Sequence, residues 1–163
     1  MKVLLIVHHS RTGGARQMAE AAAASARDTG DVEVRFLEAP SATAADVLEA
    51  NGYLFVCPEN LAAITGEMKA FFDQAYYQVL GKIEGRPYAL MVCAGSDGEN
   101  AVRQMARIAT GWRLRPVADP IIVCTHAQTP EAILAEKQIG AADLARCGEL
   151  GAALAAGLAM GIY

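Results

Sequence analysis

The sequence lacks the features that mark several large classes of protein. Its four cysteines are far apart and form no C-x-x-C pair, so we expect neither a disulfide framework nor a metal site. No Lys or Arg cluster interrupts the net charge of −4, which argues against a nucleic-acid partner. The longest nearly uncharged segment, residues 150–163, is shorter than the ~20 residues of a membrane span. With no export signal at the N-terminus, we expect a cytoplasmic protein without a membrane partner.

The sequence does contain enough apolar residues for a conventional core. Of its 163 residues, 53% are hydrophobic and 20% are charged. A chain of this length buries roughly 68–70% of the surface that it exposes when unfolded. Neither disulfides nor a structural metal are therefore needed for stability. We expect residues 1–163 to form a single domain.

Five apolar runs of strand length recur along the chain, and segments with helical periodicity separate them. Four of the runs are apolar on both faces, which is typical of parallel strands covered by helices on both sides. The second run alternates between apolar and polar residues, which favours an edge position. The runs are residues 2–7, 32–37, 53–57, 88–93 and 121–124, and the helical segments are 14–29, 43–50, 66–80, 99–110 and 129 to the end.

This alternation of strands and helices predicts the fold class. We expect an α/β protein, a doubly wound three-layer α/β/α sandwich whose five-stranded parallel sheet has the order 2-1-3-4-5. In such sheets ligands bind at the carboxyl ends of the strands, at the switch point beside the first and third strands. The loops expected to form a site therefore begin at His8, Pro58 and Ala94.

The loop after the first strand has the composition of an anion site. Ser10 and Thr12 supply hydroxyl groups, and Gly13 and Gly14 lead directly into a helix. Backbone N–H groups at a helix start bind anions, so a phosphate is the expected ligand. The loop is neither a P-loop nor a dinucleotide fingerprint, because its glycine spacing differs from both.

Three segments carry a pattern that extends beyond this one loop. The first is Ser10–Ala15, which reads SRTGGA. The second combines Pro58–Leu61 with a G-x-M-K-x-F-x-D run over Gly66–Asp73, and the third is the glycine-containing Cys93–Asp97. In these segments the chain resembles the flavodoxin-like family of FMN-binding proteins, whose phosphate loop is of the type T/S-x-T-G-x-T.

The resemblance implies that FMN is the cofactor, with its phosphate at the first segment and its ring at the other two. Ala15 stands where the family has a further hydroxyl, and Arg11 or Arg16 could supply a charged hydrogen bond in its place. No catalytic residue is implied, because the flavin would carry the chemistry. The implied cofactor-binding residues are Ser10, Arg11, Thr12, Gly13, Gly14, Ala15, Pro58, Glu59, Asn60, Leu61, Cys93, Ala94, Gly95, Ser96 and Asp97.

The flavin loops differ from those of electron-carrying flavodoxins, which commonly place aromatic side chains against the ring. Residues 58–66 and 93–100 contain no Phe, Tyr or Trp. An open ring face favours an oxidoreductase that takes electrons from NAD(P)H and passes them to a flavin, a quinone, another small molecule or a protein acceptor. The alternatives are a flavodoxin-type carrier without its own NAD(P)H activity and a flavodoxin-like interaction protein without cofactor. A homo-oligomer is permitted but not required.

Overall fold

Strands and helices alternate along the chain, and the computed structural model describes residues 1–163. The strands are β1 (Lys2–His8), β2 (Val32–Glu38), β3 (Gly52–Asn60), β4 (Ala63–Ile64), β5 (Pro87–Ala94), β6 (Arg115–Pro116) and β7 (Ile121–Cys124). The helices are α1 (Gly14–Asp28), α2 (Ala44–Glu49), α3 (Gly66–Val79), α4 (Glu99–Gly111), α5 (Pro130–Leu134) and α6 (Ala141–Met160). None of these helices combines the length and the hydropathy that a membrane span requires.

The five longer strands form a parallel sheet in the order β2-β1-β3-β5-β7. This order is the predicted 2-1-3-4-5, and the alternating strand β2 lies at the edge as expected. His8 pairs with Val56, and Pro58 pairs with Cys93, so the carboxyl ends of β1, β3 and β5 meet at one side of the sheet. The prediction of a doubly wound α/β fold is confirmed.

The two faces of the sheet pack against two different kinds of helical layer. One face packs against α2, α3 and α4 and buries six aromatic residues, Tyr53, Phe55, Phe71, Phe72, Tyr88 and Trp112. The other face packs against α1 and α6, whose buried residues are mostly alanine and glycine. A side chain at Gly151 of α6 would overlap the backbone of Ala22 in α1. The alanine-rich helices therefore allow backbone-to-backbone packing in one layer of the sandwich.

The structure departs from the predicted elements in three places. Strand β3 continues past the predicted end at Cys57 as far as Asn60 and then pairs with the short antiparallel strand β4. Strand β6 adds two residues beside β5, so the sheet has seven strands rather than five. The segment from 129 to the end is two helices, because the backbone at Ala135 and Gly140 is extended, with ψ of 150° and 154°.

Candidate functional site

A cleft of about 240 Å³ opens at the carboxyl ends of β1, β3, β5 and β7. Its walls come from the three predicted loops and from the segment that follows β7. No aromatic side chain lies among them. The lining residues are Ser10, Arg11, Thr12, Gly14, Ala15, Pro58, Glu59, Asn60, Cys93, Ala94, Gly95, Thr125, Ala127, Ile133, Leu134 and Lys137.

The loop between β1 and α1 presents free backbone donors to this cleft. Gly13, with φ of 91°, turns the chain into the helix, and its N–H group donates a hydrogen bond to Ser10 Oγ at 3.1 Å. The N–H groups of Gly14, Ala15 and Arg16 have no acceptor within the chain. The first turn of α1 contains no acidic residue. Because anions are stabilised by free N–H groups at the positive end of a helix, this loop fits a phosphate.

Gly14 is required by the close approach of Cys93 from the end of β5. A Cβ atom on Gly14 would lie 2.5 Å from Cys93 Sγ. The thiol is buried, and burial raises its pKa to about 11, even though the positive charge of Lys137 acts in the opposite direction. Cys93 is therefore a neutral thiol at neutral pH. Its sulfur packs against the β1–α1 loop at Gly14.

The second predicted loop is a β-hairpin rather than a turn that starts at Pro58. Pro58 and Glu59 still lie in β3, and Glu59 pairs with Ile64 of β4. Leu61 and Ala62 form the turn with left-handed φ of 52° and 62°, which is uncommon for residues other than glycine. The loop therefore begins after Asn60 and not at Pro58 as expected, because the antiparallel partner β4 extends β3 beyond Pro58.

Hydrogen bonds join this hairpin to the third loop. The Glu59 carboxylate accepts from the N–H group of Gly98 at 2.8 Å, and the Asn100 side-chain amide donates to the main-chain oxygen of Ala62. Gly98 itself has φ of 92° and is the N-cap residue directly before α4. The second and third loops therefore form one hydrogen-bonded unit at their end of the cleft.

Most of the predicted cofactor-binding residues line the cleft, and four do not. Gly13 lies on the outer side of the phosphate loop, where it lines a neighbouring polar groove. Leu61 is 95% exposed at the tip of the hairpin. Ser96 and Asp97 are exposed, and the Asp97 carboxylate accepts from the N–H group of Glu99 at 3.2 Å. These four assignments stay predictions from the family resemblance.

The segment after β7 supplies further cleft residues, which lie outside the three predicted loops. It begins at Thr125 and Ala127 and continues through α5 to Lys137. The N–H group of Lys137 donates to the main-chain oxygen of Thr12 at 2.8 Å, which joins the segment to the phosphate loop. One signal was present in the sequence: the fifth predicted parallel strand ends at the same edge as the others, so the loop that follows it also reaches the site.

The two arginines of the phosphate loop are already paired with carboxylates. Arg11 donates to both oxygens of Glu67, at 2.8 and 3.1 Å. Arg16 lies 3.5 Å from Glu20 and 3.4 Å from Glu136. The prediction that either arginine replaces the hydroxyl missing at Ala15 gains no support from these contacts, because the charge of each is compensated within the chain.

The two histidines that precede the loop line a polar groove beside it, rather than the cleft. His8 is 4% exposed and stacks on Phe36 with ring centroids 4.2 Å apart, and its Nδ1 has no hydrogen-bond partner. Burial lowers the pKa of His8, so its ring is neutral at neutral pH. His9 Nδ1 lies 2.9 Å from Thr65 Oγ1, and burial lowers its pKa as well. Neither ring faces the cleft.

The cleft offers contacts that suit both parts of FMN, the phosphate and the ring. FMN joins a phosphate ester to a flat ring system. A binding site therefore needs hydrogen-bond donors for an anion at one end and a narrow slot lined by small or apolar residues at the other. The free N–H groups of α1 meet the first requirement. Pro58, Ala94, Gly95 and Ala127 meet the second, because small residues permit close approach to a ring. The residues present therefore fit the cofactor.

Comparison with known families supports the same interpretation. A family model described as NADPH-dependent FMN reductase matches residues 38–129. The matched segment contains the hairpin and the third loop of the cleft, whereas the phosphate loop and Lys137 lie outside it.

One known relative is a flavodoxin of Aquifex aeolicus (strain VF5), which is 35% identical over 107 residues. The match covers 65% of this chain and 58% of that protein, so the chain spans less than two thirds of the relative's length.

Solved structures share the fold at lower sequence identity. A flavodoxin of Streptococcus pneumoniae TIGR4 superposes with a TM-score of 0.74 at 20% identity, covering 94% of this chain and 98% of that one. A flavodiiron protein from Giardia intestinalis superposes with a TM-score of 0.78 at 18% identity, covering 99% of this chain and 37% of that one. These likenesses show that the fold is flavodoxin-like.

Proposed function

This chain belongs to the family of NADPH-dependent FMN reductases, and on that premise we propose that it transfers electrons from NAD(P)H to a small-molecule or protein acceptor. As a member of that family it is an FMN-binding flavoprotein, which argues against the alternative of an interaction protein without cofactor. FMN binding follows from the family, and the electron donor and acceptor are what we propose in addition.

We propose that FMN lies in the cleft with its phosphate at Ser10–Ala15. The ring then lies between the hairpin residues Pro58–Leu61 and the third loop, Cys93–Asp97. Three free N–H groups of α1 support the first assignment, and the small residues of the wall support the second. The hydrogen bond from the Gly98 N–H group to Glu59 joins the two sides of the proposed ring site.

The observation that carries the reductase proposal is the absence of aromatic side chains from the cleft. All six buried aromatic residues of the core lie on the face of the sheet that α2, α3 and α4 cover, opposite the face that packs against α1. A ring face without an aromatic cover leaves space for a nicotinamide to stack against it. The proposed electron donor therefore reaches the cofactor from the open side of the cleft.

In this proposal the chain's own residues bind and orient FMN. FMN, when bound, supplies the redox chemistry, which is the exchange of electrons with the nicotinamide and the acceptor. The loop N–H groups hold the phosphate, and the walls at Ala94, Gly95 and Ala127 admit the ring. No side chain of the cleft is assigned as a general acid or base.

Steady-state oxidation of NADPH and of NADH by the FMN-loaded protein tests this proposal. With a quinone or free flavin as acceptor, we expect turnover on the order of 1–100 s⁻¹, in the usual range for enzymes. The controls are the FMN-free protein and free FMN at the same concentration. A rate no higher than that of free FMN would contradict the reductase proposal.

A variant that covers the ring face sharpens the test. Asn60 is exposed at the cleft wall, and Asn60→Tyr would place an aromatic ring there. We expect NAD(P)H oxidation to fall about tenfold or more while FMN stays bound, because the added ring competes with the nicotinamide for the same face. Gln74→Tyr, on the exposed side of α3, is the matched control. Equal rates in both variants would show that the nicotinamide does not use this face.

The second candidate function is an electron carrier without its own NAD(P)H activity. The Aquifex relative bears the name flavodoxin, and the low net charge of −4 does not decide between the two functions. A carrier would hold FMN as proposed and exchange electrons with a reduced protein donor, yet oxidise neither nicotinamide. The same turnover measurement separates the two.

A further inference from the structure

Lys137 is the cation at the cleft whose charge has no carboxylate partner. Its Nζ donates to Thr12 Oγ1 at 3.2 Å and to the main-chain oxygens of Ile133 at 2.8 Å and Ala135 at 2.5 Å. It takes part in none of the chain's ion pairs, whereas Arg11 and Arg16 both do. The positive charge is therefore held by neutral oxygens at the phosphate loop.

The position of Lys137 is set by the backbone on both sides of it. Its N–H group donates to the main-chain oxygen of Thr12 at 2.8 Å. Its main-chain oxygen accepts from Gln17 Nε2 at 2.6 Å, and Gln17 Oε1 accepts from the N–H group of Ile139 at 3.0 Å. These bonds join the segment before α6 to the loop and to the first turns of α1. The ammonium group is thus placed before a ligand arrives, which lowers the entropic cost of binding.

The loop leaves a vacancy in its donor set that a cation can fill. Ala15 offers no hydroxyl where the family pattern has one, and the two loop arginines are paired with glutamates. The free N–H groups of α1 favour an anion, but no side-chain charge from the loop itself is available to it. Lys137, whose Nζ contacts the hydroxyl of Thr12, is the uncompensated charge beside those donors.

We propose that Lys137 is the charge partner of the FMN phosphate and that it confers preference for FMN over riboflavin. The ammonium gives up its 3.2 Å hydrogen bond to Thr12 Oγ1 and donates that N–H group to the phosphate instead, a charge-assisted hydrogen bond in place of the hydroxyl bond that Ala15 cannot make. This inference rests on the proposed placement of the phosphate at Ser10–Ala15. It goes beyond that placement, because Lys137 lies outside the predicted loops and outside the segment matched by the family model.

Titration of FMN-free protein with FMN and with riboflavin tests the role of Lys137. Riboflavin has the same ring without the phosphate, so it reports on the ring site alone. For Lys137→Met we expect FMN affinity to fall roughly 10- to 100-fold, the size of one hydrogen bond to a charged group, and riboflavin affinity to change less than about twofold. Lys137→Arg should retain most of the affinity for FMN. Binding is read from quenching of flavin fluorescence.

The matched control is Arg16→Met, which removes a cation from the first turn of α1 that is already paired with Glu20 and Glu136. Its FMN affinity should change less than about threefold. A measurement on the unmodified protein does not depend on the folding of any variant: added salt should weaken FMN binding and leave riboflavin binding nearly constant, because it screens the ammonium–phosphate attraction. In Lys137→Met the salt dependence should be smaller.

The outcomes distinguish a failure of the proposed phosphate site from a failure of the proposed role of Lys137. If the unmodified protein binds FMN no more tightly than riboflavin, the proposed phosphate site itself fails. If it prefers FMN and Lys137→Met keeps that preference, the site stands and the role of Lys137 is overturned. If Lys137→Met weakens FMN and riboflavin equally, the lysine only holds the turn at Ile133 and Ala135, and the proposal is overturned in the same way.

Discussion

The two ends of the cleft differ in whether the chain itself supplies partners for their polar groups. At the end proposed for the flavin ring, here called the ring end (Pro58–Leu61 and Cys93–Asp97), the chain provides its own partners, as in the bond from the Gly98 N–H group to Glu59. At the end proposed for the phosphate, here called the phosphate end (Ser10–Ala15 and Lys137), three backbone N–H groups have no acceptor and the ammonium has no carboxylate.

Folding alone therefore satisfies the polar groups of the ring end, whereas those of the phosphate end need a ligand. Polar groups that are partnered in the chain contribute to the free energy of unfolding of the FMN-free protein. Donors without an anionic partner contribute when a ligand arrives, and they then stabilise the folded state in proportion to ligand affinity. Substitutions at the ring end should therefore lower stability, and those at the phosphate end should lower FMN affinity.

The largest effect on stability is expected at Gly98. Gly98 has φ of 92°, and a Cβ atom there would lie 2.8 Å from Ile122 Cγ2. Gly98→Ala should lower the free energy of unfolding by roughly 2–5 kcal/mol, the sum of a left-handed backbone penalty and a packing overlap. Urea unfolding of the FMN-free protein measures it. Gly81→Ala, with φ of 76° and no atom within 4 Å, is the control and should cost about 1–2 kcal/mol. Equal losses would contradict tight packing at the ring end.

At the phosphate end, Thr12→Val should separate affinity from stability. The substitution removes one hydroxyl and keeps the side-chain shape, so FMN affinity should fall roughly 10- to 100-fold while riboflavin affinity is maintained. The free energy of unfolding without FMN should change by about 1 kcal/mol or less, because the Lys137 ammonium that donates to this hydroxyl keeps its two main-chain acceptors. Thr110→Val, on the exposed side of α4, is the control. A loss of stability as large as that of Gly98→Ala would remove the contrast between the two ends.

The smallest effect is a coupling where the two ends meet. A Cβ atom on Gly14 would lie 2.5 Å from Cys93 Sγ, so Gly14→Ala should cost about 1–3 kcal/mol of unfolding free energy. In a Cys93→Ala background the same substitution should cost less, with a coupling of about 0.5–2 kcal/mol. Urea unfolding of the two single variants and the double variant gives this value. Additive costs would mean that the thiol turns aside and that the ends are independent.

Most of the framework could be predicted from the sequence, because burial on both faces leaves a continuous apolar run. Four of the five long strands follow from that pattern, and the alternating residues of β2 indicate its place at the edge of the sheet. The hairpin after β3 could not be predicted, since Leu61 and Ala62 are not residue types that favour the left-handed turn they form. The break before α6 was missed for a related reason: the helical periodicity continued across Ala135, and extended backbone there is a local conformation that periodicity does not report.

The site was predictable at the level of loops but not of individual side chains. Loops at the carboxyl ends of parallel strands meet by geometry, and Ser10–Thr12, Gly14–Ala15 and Pro58–Asn60 line the cleft at that edge of the sheet. Whether a loop residue faces the cleft depends on turn geometry, which explains why Leu61 and Ser96 lie outside the lining. Thr125 and Lys137 belong to no recognisable motif, and they reach the cleft because β7 ends at the same edge of the sheet as β5.

The sequence by itself determined the sheet, its order and the three loops that carry the family resemblance, because apolar runs and glycine turns are local patterns. Only the tertiary structure decided which cation serves the phosphate loop. In the sequence Arg11, Arg16 and Lys137 are equivalent charges. Folding brings glutamates beside the two arginines, and it carries Lys137 across 125 residues of chain to Thr12 without a carboxylate. Charge compensation depends on distances in space, and no pattern along the chain contains them.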